Sequence, residues 1–462
     1  MTGSQSLERL FRPSSLAIIG ASNYTQKGGG FLLKGLMANN FRGIVYPVNP
    51  HESEVLGLRS YPAVRDIPGQ VDLAIIAVSA RLVPQILSEC GRKGIRFAVV
   101  HSAGFAELGP EGRAIEKEAL DVARRSGIRF VGPNCMGLCC VEVGLNTIRP
   151  SIRLLDGAGE VAFLGQSGWA CQNFLGMGKE RGLRFSKVVS VGNQADLTIE
   201  DFLEYLGADP QTRVIGCYIE GIRDGRKLME LVRQISPSKP IIVWKAGRTE
   251  AGIRAASSHT ASLAGNSNIF DIALKQSGAV ISHNLEELID LAIGFTCPVL
   301  PKGNRLGVVV EAGGGGVAAA DVHEMLGLEM PVLSEAAQGE LTNTLERAVI
   351  ALPNLRNPVD IVWPRRWTTG WATLDCLRIV LKEVDAAVAI DYAPLNERLT
   401  TKMAELRDET GKPVLIVPGD PIEQKQGMRR LIRKGVPSFA IPERALKVLA
   451  AMVRYANDCR QG

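Results

Sequence analysis

The sequence predicts an α/β protein of three consecutive Rossmann-like or flavodoxin-like domains with mostly parallel sheets. Three observations support this prediction. Short apolar runs alternate with helical patterns along the whole chain, which is typical of parallel strands joined by helices. A unit of apolar strand, glycine-rich turn and helix occurs three times. The length of 462 residues exceeds what one hydrophobic core accommodates and suggests about three domains.

The first predicted domain, residues 7–148, contains five apolar runs that we interpret as strands. Continuous apolar runs are expected for strands that are buried on both faces. The segments 81–94 and 111–127 carry apolar residues at helical spacing. The predicted strands are SLAIIG, GIVYPV, VDLAIIAVS, FAVVHSAG and RFVGPN. Together these elements indicate a doubly wound sheet.

The same pattern restarts at EVAFLGQSG (160–168) and at LGVVVEAGGGG (306–316). Each restart predicts the first strand of a further domain, so we expect a second domain over 155–297 and a third over 303–460. The boundaries fall in segments rich in turn-forming residues, RPSIRLLDGAG and TCPVLPKGN. The helical patterns EELIDLAIGF and ERALKVLAAMVRYAND close these two domains.

Composition narrows the class of protein. With 46% hydrophobic and 22% charged residues the chain reads as an ordinary globular protein, without an apolar run or signal peptide that would direct it to a membrane. The 9 cysteines show no CxxC pair and no zinc spacing, so we expect reduced thiols, no metal site and a cytoplasmic location. A net charge of +5 is small for this length, and we expect neither nucleic acid nor membrane as partner.

Each glycine turn offers free backbone N–H groups at a helix N-terminus. These donors and the helix dipole favour an anion, especially a phosphate, although a tight turn without a ligand has the same pattern. The first turn, residues 20–30, lacks the GxGxxG pattern, and Asn49 stands where NAD-binding folds carry an acidic residue. Glu52 and Glu54 come slightly later and revive the NAD option only weakly, so NAD is disfavoured. A phosphate-bearing nucleotide is still plausible, with Lys27 as a nearby point charge.

The second and third glycine turns each allow two interpretations. In GQSG, Ser167 and Gly168 stand at the mouth of a helix, where the serine either contacts a phosphate or caps the helix. The fragment lacks the second glycine of a GxSxG elbow, so a hydrolase is a poor match. The third turn, 311–316, has four consecutive glycines, which indicate either a close approach of the backbone to something or a flexible linker.

One of the 5 histidines, His259, lies in the small-residue run AASSHTASLAG after the predicted strand IIVWKAG. Open α/β sheets bind their ligands on loops at the carboxyl ends of strands. A nucleophile or general base is therefore favoured over a structural role for this imidazole. Glu220, at the end of the predicted strand VIGCYIEGI, is the candidate for orienting the ring, and the alternative is a strand-end carboxylate in solvent.

Several motifs together resemble one enzyme family. They are GASN, YPVNP, SAGFAELG, GPNCMG, GQSG, GRTEAGIRAASSHTASLAG and NPVD. This series is similar to the NDP-forming acyl-CoA synthetase family, in the ADP-forming acetyl-CoA synthetase branch of the succinyl-CoA synthetase superfamily. The resemblance runs from about residue 7 to near the C-terminus, in the order of an α-type subunit: a CoA-binding domain, a ligase domain and a third flavodoxin-like domain.

The resemblance implies roles for individual residues. His259 would carry a phosphoryl group between an acyl phosphate and a nucleoside diphosphate, and Glu220 would steady the phosphohistidine. The starts of the helices after GQSG and GGGG would hold the phosphate through Ser167, Gly168, Gly314, Gly315 and Gly316. CoA would lie along the first domain, where the matching positions are Gly20, Ala21, Ser22, Lys27, Asn49, Pro50, Val78, Ser79, Ala103, Gly104, Asn134 and Cys135.

The resemblance also implies a reaction and a partner: acid + CoA + ATP = acyl-CoA + ADP + phosphate. No segment resembles an ATP-grasp domain, so we expect a separate ATP-grasp β subunit, in an α2β2 heterotetramer, to bind ATP or ADP and Mg²⁺ and to act with a small carboxylic acid. The alternative is a regulatory protein that binds CoA or acyl-CoA. The segment 360–371 departs from the family, and its Arg365 and Arg366 either recognise a second anionic group on the acid or form an exposed basic loop.

Overall fold

The computed structural model describes residues 7–254, 267–311, 313–346, 355–361 and 370–461. The chain divides into two compact units. The first comprises the chain up to Met177 together with Arg184–Leu285, and the second comprises Gly178–Leu183 together with Glu286–Gly462. The first predicted domain and most of the second lie in the first unit, whereas residues 178–183 and 286–297 of the predicted second domain lie in the second unit with the predicted third domain.

The first sheet has five parallel strands in the order β2-β1-β5-β6-β7. Leu16 and Ile18 of β1 pack into one hydrophobic cluster, while Ala17 and Ile19 pack into another on the opposite face. A strand with side chains buried on both faces must be apolar throughout, which explains the continuous run in the sequence. The strands are β1 (Ser15–Ile19), β2 (Ile44–Val48), β5 (Leu73–Ile76), β6 (Phe97–Val100) and β7 (Arg129–Val131), and β3 (Glu54–Val55) with β4 (Leu58–Arg59) forms a separate hairpin.

The second sheet has seven strands in the order β14-β13-β12-β10-β11-β8-β9. Its strands β10 to β14 are parallel, whereas β8 and β9 join antiparallel beside β11. The strands are β8 (Gly137–Cys140), β9 (Leu145–Asn146), β10 (Val161–Gly165), β11 (Phe185–Ser190), β12 (Val214–Ile219), β13 (Ile241–Lys245) and β14 (Val280–Ser282). The strands β8 and β9 fall within the residues predicted for the first domain, yet they are hydrogen-bonded to the second sheet.

A buried ion pair lies under the second sheet. Lys187 of β11 is fully buried, and its Nζ lies 2.7 Å from Oδ2 of Asp209, which is also buried. The carboxylate of Asp209 accepts a further hydrogen bond from the Thr212 hydroxyl at 2.6 Å. Because both charges are buried, the pair is sensitive to the loss of one partner.

The third sheet lies in the second unit and has four parallel strands in the order β16-β15-β17-β18. The strands are β15 (Leu306–Val310), β16 (Val359–Asp360), β17 (Ala386–Asp391) and β18 (Val414–Pro418). Asn357, in the NPVD motif, supports β15: its Oδ1 accepts from Val308 N at 3.0 Å, and its Nδ2 donates to Leu306 O at 2.9 Å.

Helices connect the strands of all three sheets. Side-chain caps satisfy the first N–H groups of several of them; Asp224, for example, accepts from Lys227 N at 3.0 Å, and Asn396 accepts from Leu399 N at 2.9 Å. The α-helices span Glu8–Phe11, Gly28–Ala38, Val83–Lys93, Pro110–Arg125, Gly168–Arg181, Ile199–Ala208, Gly225–Ile235, Ser267–Gln276, Leu285–Phe295, Gly313–His323, Glu335–Leu345, Trp371–Val380, Glu397–Thr410, Lys425–Arg433 and Pro442–Gln461.

The thiols and the sheets match what the sequence predicts. All 9 cysteines are free thiols, as predicted, and all but Cys459 are buried. In the described part of the chain, no helix combines the length and the apolar character that crossing a membrane requires. The parallel sheets with their connecting helices confirm the predicted α/β fold class.

Candidate active site

The residues predicted to bind CoA follow the five strands of the first sheet at their carboxyl ends. Because the strands are parallel, these ends meet at one edge, which includes the point between β1 and β5 where the strand order reverses. Open α/β sheets bind ligands in the crevice at such a point. Gly20, Ala21 and Ser22 follow β1, Asn49 and Pro50 follow β2, Val78 and Ser79 follow β5, Ala103 and Gly104 follow β6, and Asn134 and Cys135 follow β7.

The turn after β1 requires its glycines. Gly20 has a φ of +88°, and a Cβ there would lie 2.5 Å from a backbone carbonyl oxygen of residue 77. A Cβ on Gly29 would lie 2.3 Å from the carbonyl oxygen of Gly20. The side chain of Asn49 fixes the same turn, since its Nδ2 donates to Ala21 O at 2.7 Å. The turn is therefore a close-packed cradle that leads directly into a helix N-terminus.

The acidic residue that follows β2 also belongs to this turn. The Glu52 carboxylate accepts hydrogen bonds from the backbone N–H of Asn23, at 3.3 Å, and from the Asn23 side-chain amide. Both of these hydrogen bonds go to Oε2 of Glu52. Lys27 is exposed and directly precedes the helix Gly28–Ala38. A cation at this position suits a phosphate at the helix start, and the role of Lys27 in binding stays a prediction.

A cavity of about 230 Å³ joins the carboxyl ends of the first and second sheets. It brings Asn134 and Cys135, predicted to bind CoA, together with Ser167 and Gly168, predicted to bind phosphate. The residues that line it are His101, Asn134, Cys135, Met136, Gln166, Ser167, Gly168, Trp169, Gly192 and Asn193. Residues from two separate motifs, one predicted to bind CoA and the other predicted to bind phosphate, therefore line the same cavity.

Ser167 and Gly168 stand where β10 turns into the helix Gly168–Arg181. The capping contact of the serine is long: Ala170 N lies 3.5 Å from its Oγ. A Cβ on Gly168 would lie 2.5 Å from Cγ of Met136, so a larger residue here would require the Met136 side chain to move. The start of this helix presents N–H groups and a hydroxyl to the cavity, which is the arrangement that an anion prefers.

Gln166 links this cavity to Glu220. Its Oε1 accepts from Gly221 N at 2.9 Å and from Glu220 N, and its Nε2 donates to Gly221 O at 2.5 Å. A side-chain amide that uses both of its polar atoms in this way clamps the loop after β12 to the loop after β10. Sequence reasoning had included Gln166 in the GQSG motif without giving it a role.

Glu220 is buried, which rules out the alternative of a strand-end carboxylate in solvent. Burial, and then the charge and hydrogen bond of Glu220, raise the pKa of Tyr218. The ammonium of Lys245, also buried, donates to Glu220 O at 2.9 Å. Burial lowers the pKa of Lys245, and the Glu220 carboxylate opposes that effect. Glu220 is thus a positioned charge beside the cavity wall; its role toward His259 stays a prediction.

His259 lies outside the described residues, as do Arg365 and Arg366. The chain is described up to Arg254 and again from Ser267, whose helix, Ser267–Gln276, matches the helical pattern expected after the histidine loop. The strand predicted before that loop is β13, and it ends at Lys245.

The third glycine turn opens the helix Gly313–His323, so Gly314, Gly315 and Gly316 lie in its first turn. A Cβ on Gly315 would lie 3.0 Å from the Ile390 side chain, and one on Gly316 would lie 3.3 Å from Val310. Gly314 has no neighbour within 4 Å of such a Cβ. The run is part of a helix and not a linker. Its backbone packs closely against the sheet on one side and is open on the other.

Acidic groups surround this third helix start. Glu311 follows β15, Asp391 ends β17, and Asp360 ends β16 with its Oδ2 only 3.0 Å from the Cβ position of Gly313. Burial and then the charge of Asp391 raise the pKa of Glu311 to about 8. Burial also raises the pKa of Asp360. An anion is compatible with this helix start when the Glu311–Asp391 pair carries a proton.

The sequence reasoning did not single out His101, Asn193 or Glu311. His101 is hidden at the end of an apolar strand, and Asn193 lies in a polar loop without a motif. Glu311 preceded the glycine run but carried no signal of burial. Their positions depend on which strand ends meet in the folded chain.

Known proteins resemble this chain over most of its length. The model of a CoA-binding domain matches residues 14–140, and that of a succinyl-CoA ligase-like flavodoxin domain matches residues 158–295. The α subunit of ADP-forming acetate–CoA ligase II from Pyrococcus furiosus is 37% identical, over 99% of this chain and 99% of its own. The ADP-forming 4-hydroxybutyrate–CoA ligase of Nitrosopumilus maritimus is 31% identical, over 97% of this chain and 64% of its own.

A solved structure is also similar to this chain over almost its whole length. A chain of the dinucleotide-forming acetyl-coenzyme A synthetase 1 from Ca. Korarchaeum cryptofilum, in complex with phosphate and ADP, superposes with a TM-score of 0.86. It is 34% identical, with 98% of this chain and 97% of that chain covered. The order of domains, the cavity at their strand ends and this end-to-end similarity lead to one conclusion: the chain belongs to the family of the α subunits of ADP-forming acetate–CoA ligases.

Proposed function

We propose that this chain, with a partner subunit, catalyses acid + CoA + ATP = acyl-CoA + ADP + phosphate, and that its own part is to bind CoA and carry the phosphoryl group on His259. The observation that carries the proposal is the cavity at the strand ends of the first two sheets. This cavity is lined by Asn134 and Cys135, which follow β7 of the first sheet, and by Ser167 and Gly168 at a helix N-terminus. A thiol and an acyl phosphate that are to react must meet in such a place.

The residues of the first sheet suit CoA. The turn after β1 presents a helix N-terminus for phosphate groups, with Lys27 exposed beside it. The strand ends from β2 to β7 continue along one edge and finish at Asn134 and Cys135, next to the cavity. An elongated molecule that lies along this edge, with its phosphates at the turn, would bring its far end to the cavity. We assign that far end to the thiol of CoA.

The transfer of the phosphoryl group would take place at the carboxyl ends of the strands of the second sheet. We propose that His259 receives it from ATP and passes it to the carboxylate of the acid near Ser167, where the helix start offers hydrogen bonds to the phosphate. The buried Glu220 would orient the imidazole and balance the charge that develops on it. The helix start at Gly314, Gly315 and Gly316 would serve as a second phosphate contact. These steps rely on positioning and electrostatics.

The partner would be an ATP-grasp β subunit in an α2β2 assembly, holding the nucleotide and Mg²⁺. Within the described ranges no group of three or more histidine, cysteine, aspartate or glutamate side chains is arranged to hold a metal ion. The regulatory alternative is not favoured, because the relatives that match the whole chain are named as ligase subunits.

The test is reconstitution. The chain is purified with the ATP-grasp subunit and assayed for thioester with acetate and with 4-hydroxybutyrate, which the names of two relatives suggest. The proposal predicts thioester formation that requires acid, CoA and ATP together and releases ADP and phosphate in equal amounts. Release of AMP and pyrophosphate, or CoA binding without turnover for a broad panel of acids, would contradict it.

A further inference from the structure

His101 occupies the cavity without a role in the function described so far. It directly follows β6, and its backbone N–H donates to Ile76 O of β5 at 3.0 Å, which fixes the start of the loop. The ring lines the cavity with Asn134 and Ser167. Its Nδ1 is buried and has no hydrogen-bond partner among the described residues. Buried polar atoms are rarely left unpaired, so Nδ1 has hydrogen-bonding capacity that the described residues do not use, although the ring also makes a backbone hydrogen bond with Cys135.

The surroundings keep the ring neutral. Burial lowers the pKa of His101, and a backbone hydrogen bond with Cys135 opposes that effect. No carboxylate is among the residues that line the cavity. Glu107 and Glu116 reach it only through Asn193, whose Nδ2 donates to them at 2.7 and 2.9 Å. Behind the opposite wall, Glu220 is reached through Gln166. A neutral imidazole has one nitrogen that can accept a proton.

The other polar side chains that line the cavity cannot accept a proton near neutral pH. Burial raises the pKa of the Cys135 thiol to about 12, and its Sγ lies 3.4 Å from Val100 O. The amides of Asn134, Gln166 and Asn193 and the hydroxyl of Ser167 are not bases near neutral pH. Of the residues that line the cavity, His101 alone combines a neutral form with a proton-accepting atom.

We infer that His101 is a further catalytic residue, the general base that removes the proton from the CoA thiol as its sulfur attacks the acyl phosphate. The C–S bond forms, and the C–O bond between the acyl carbon and the phosphate breaks. The proton passes from sulfur to the imidazole and then to the departing phosphate, which leaves as hydrogen phosphate and restores the neutral ring. The inference rests on the proposed function, because it needs CoA and the acyl phosphate in this cavity.

The expected size of the effect follows from the thiol. An ordinary thiol has a pKa near 8.5, so only about 3% of it is thiolate at pH 7 and about 75% at pH 9. A positioned base typically contributes about 10² to 10⁴ in rate. Thioester formation by His101→Ala should therefore fall by at least about 100-fold at pH 7. It should recover by about 25-fold between pH 7 and pH 9, because the thiolate then forms without help.

The experiment separates the two halves of the reaction in the reconstituted complex. Hydroxylamine traps acyl phosphate as a hydroxamate without CoA, and thioester formation with CoA is measured beside it. For His101→Ala and the polar variant His101→Gln we expect hydroxamate at the wild-type rate and thioester at the reduced, pH-dependent rate. His323→Ala, a histidine change in the second unit, serves as control and should leave both rates unchanged.

The outcomes distinguish the inference from the proposed function. Thioester formation by both His101 variants at the wild-type rate would overturn the inference alone. Equal losses of hydroxamate and thioester would also overturn it, since that pattern indicates a structural role. A loss of thioester that does not recover toward pH 9 would speak against a base as well. If the wild-type complex forms neither product, the proposed function itself fails.

Discussion

The carboxyl pair at the start of the third glycine helix predicts an unusual pH dependence of stability. Burial and the neighbouring Asp391 raise the pKa of Glu311 from an ordinary 4.5 to about 8. The folded state then binds more protons than the unfolded state between these two values. The stability that this proton contributes is therefore fully present below pH 4.5 and is lost as the pH rises through 8. The change Glu311→Gln removes the titrating group, while its side-chain oxygen can still accept the hydrogen bond from Tyr392 N, 2.9 Å in length.

The magnitude follows from the same pair. The gap between 4.5 and about 8 corresponds to about 5 kcal/mol for a fully buried group. The Glu311 side chain is only half-buried, and solvent screens part of this energy, so we expect about 2 kcal/mol. Glu311→Gln should be more stable than the wild type by that amount at pH 8.5 and should differ little from it at pH 4.5.

Native-state hydrogen exchange measures this locally, at the amides of β15 and β17, after correction for the intrinsic effect of pH on exchange. The opening free energy of the wild type should fall from pH 4.5 to pH 8.5, and that of Glu311→Gln should stay level. Glu335→Gln, an exposed position in the same unit, is the matched control and should follow the wild type. A variant at Glu311 that loses stability with pH as steeply as the wild type would refute the shared-proton reasoning.

Three further changes test other parts of the structure. Gly20→Ala places a Cβ 2.5 Å from a backbone oxygen at a φ of +88°. The affinity for CoA, measured by calorimetry, should therefore fall at least about 10-fold. Gly57→Ala is the control, because Gly57 has a φ of +82° but open space around it, and this change should leave the affinity unchanged. Glu220→Gln should lower acyl-CoA synthesis about 10- to 100-fold with the KM for CoA retained; an unchanged rate would remove its predicted role. Lys187→Met leaves the buried Asp209 charge unpaired and should lower the free energy of unfolding in urea by about 3–5 kcal/mol, while replacing both partners should cost less.

Much of the fold could be predicted because its strands are buried on both faces. The runs around Leu16, Ile75, Val99 and Val309 contain hardly any polar residue, and each is a strand in the structure. The membership of β8 and β9 in the second sheet could not be predicted. These strands are short and antiparallel, and the apolar run GLCC does not itself indicate which sheet it joins. Pairing partners depend on contacts between segments that are far apart in the sequence.

The candidate site was predictable where a motif marks it and hidden where only packing creates it. The glycine turns identified Ser167 and Gly314 at helix starts and Gly20 directly after β1, and the structure places all three there. His101 could not be recognised, because it looks like the polar end of a buried strand until β7 and β10 bring Asn134 and Ser167 beside it. The burial of Glu220 likewise depends on contacts between segments far apart in the sequence, and Gln166 joins two of them through its hydrogen bonds to Gly221.

The most direct test of the account is the covalent phosphoryl group itself. The reconstituted complex is incubated with ATP labelled at the γ-phosphate, and the label on this chain is followed through acid treatment and through addition of acid substrate with CoA. We predict an acid-labile label on the wild-type chain that is discharged by the two substrates together, and none on His259→Ala, which should also lack ligase activity. Full ATP-dependent ligation by His259→Ala, or a wild-type chain that ligates without ever carrying the label, would contradict the account.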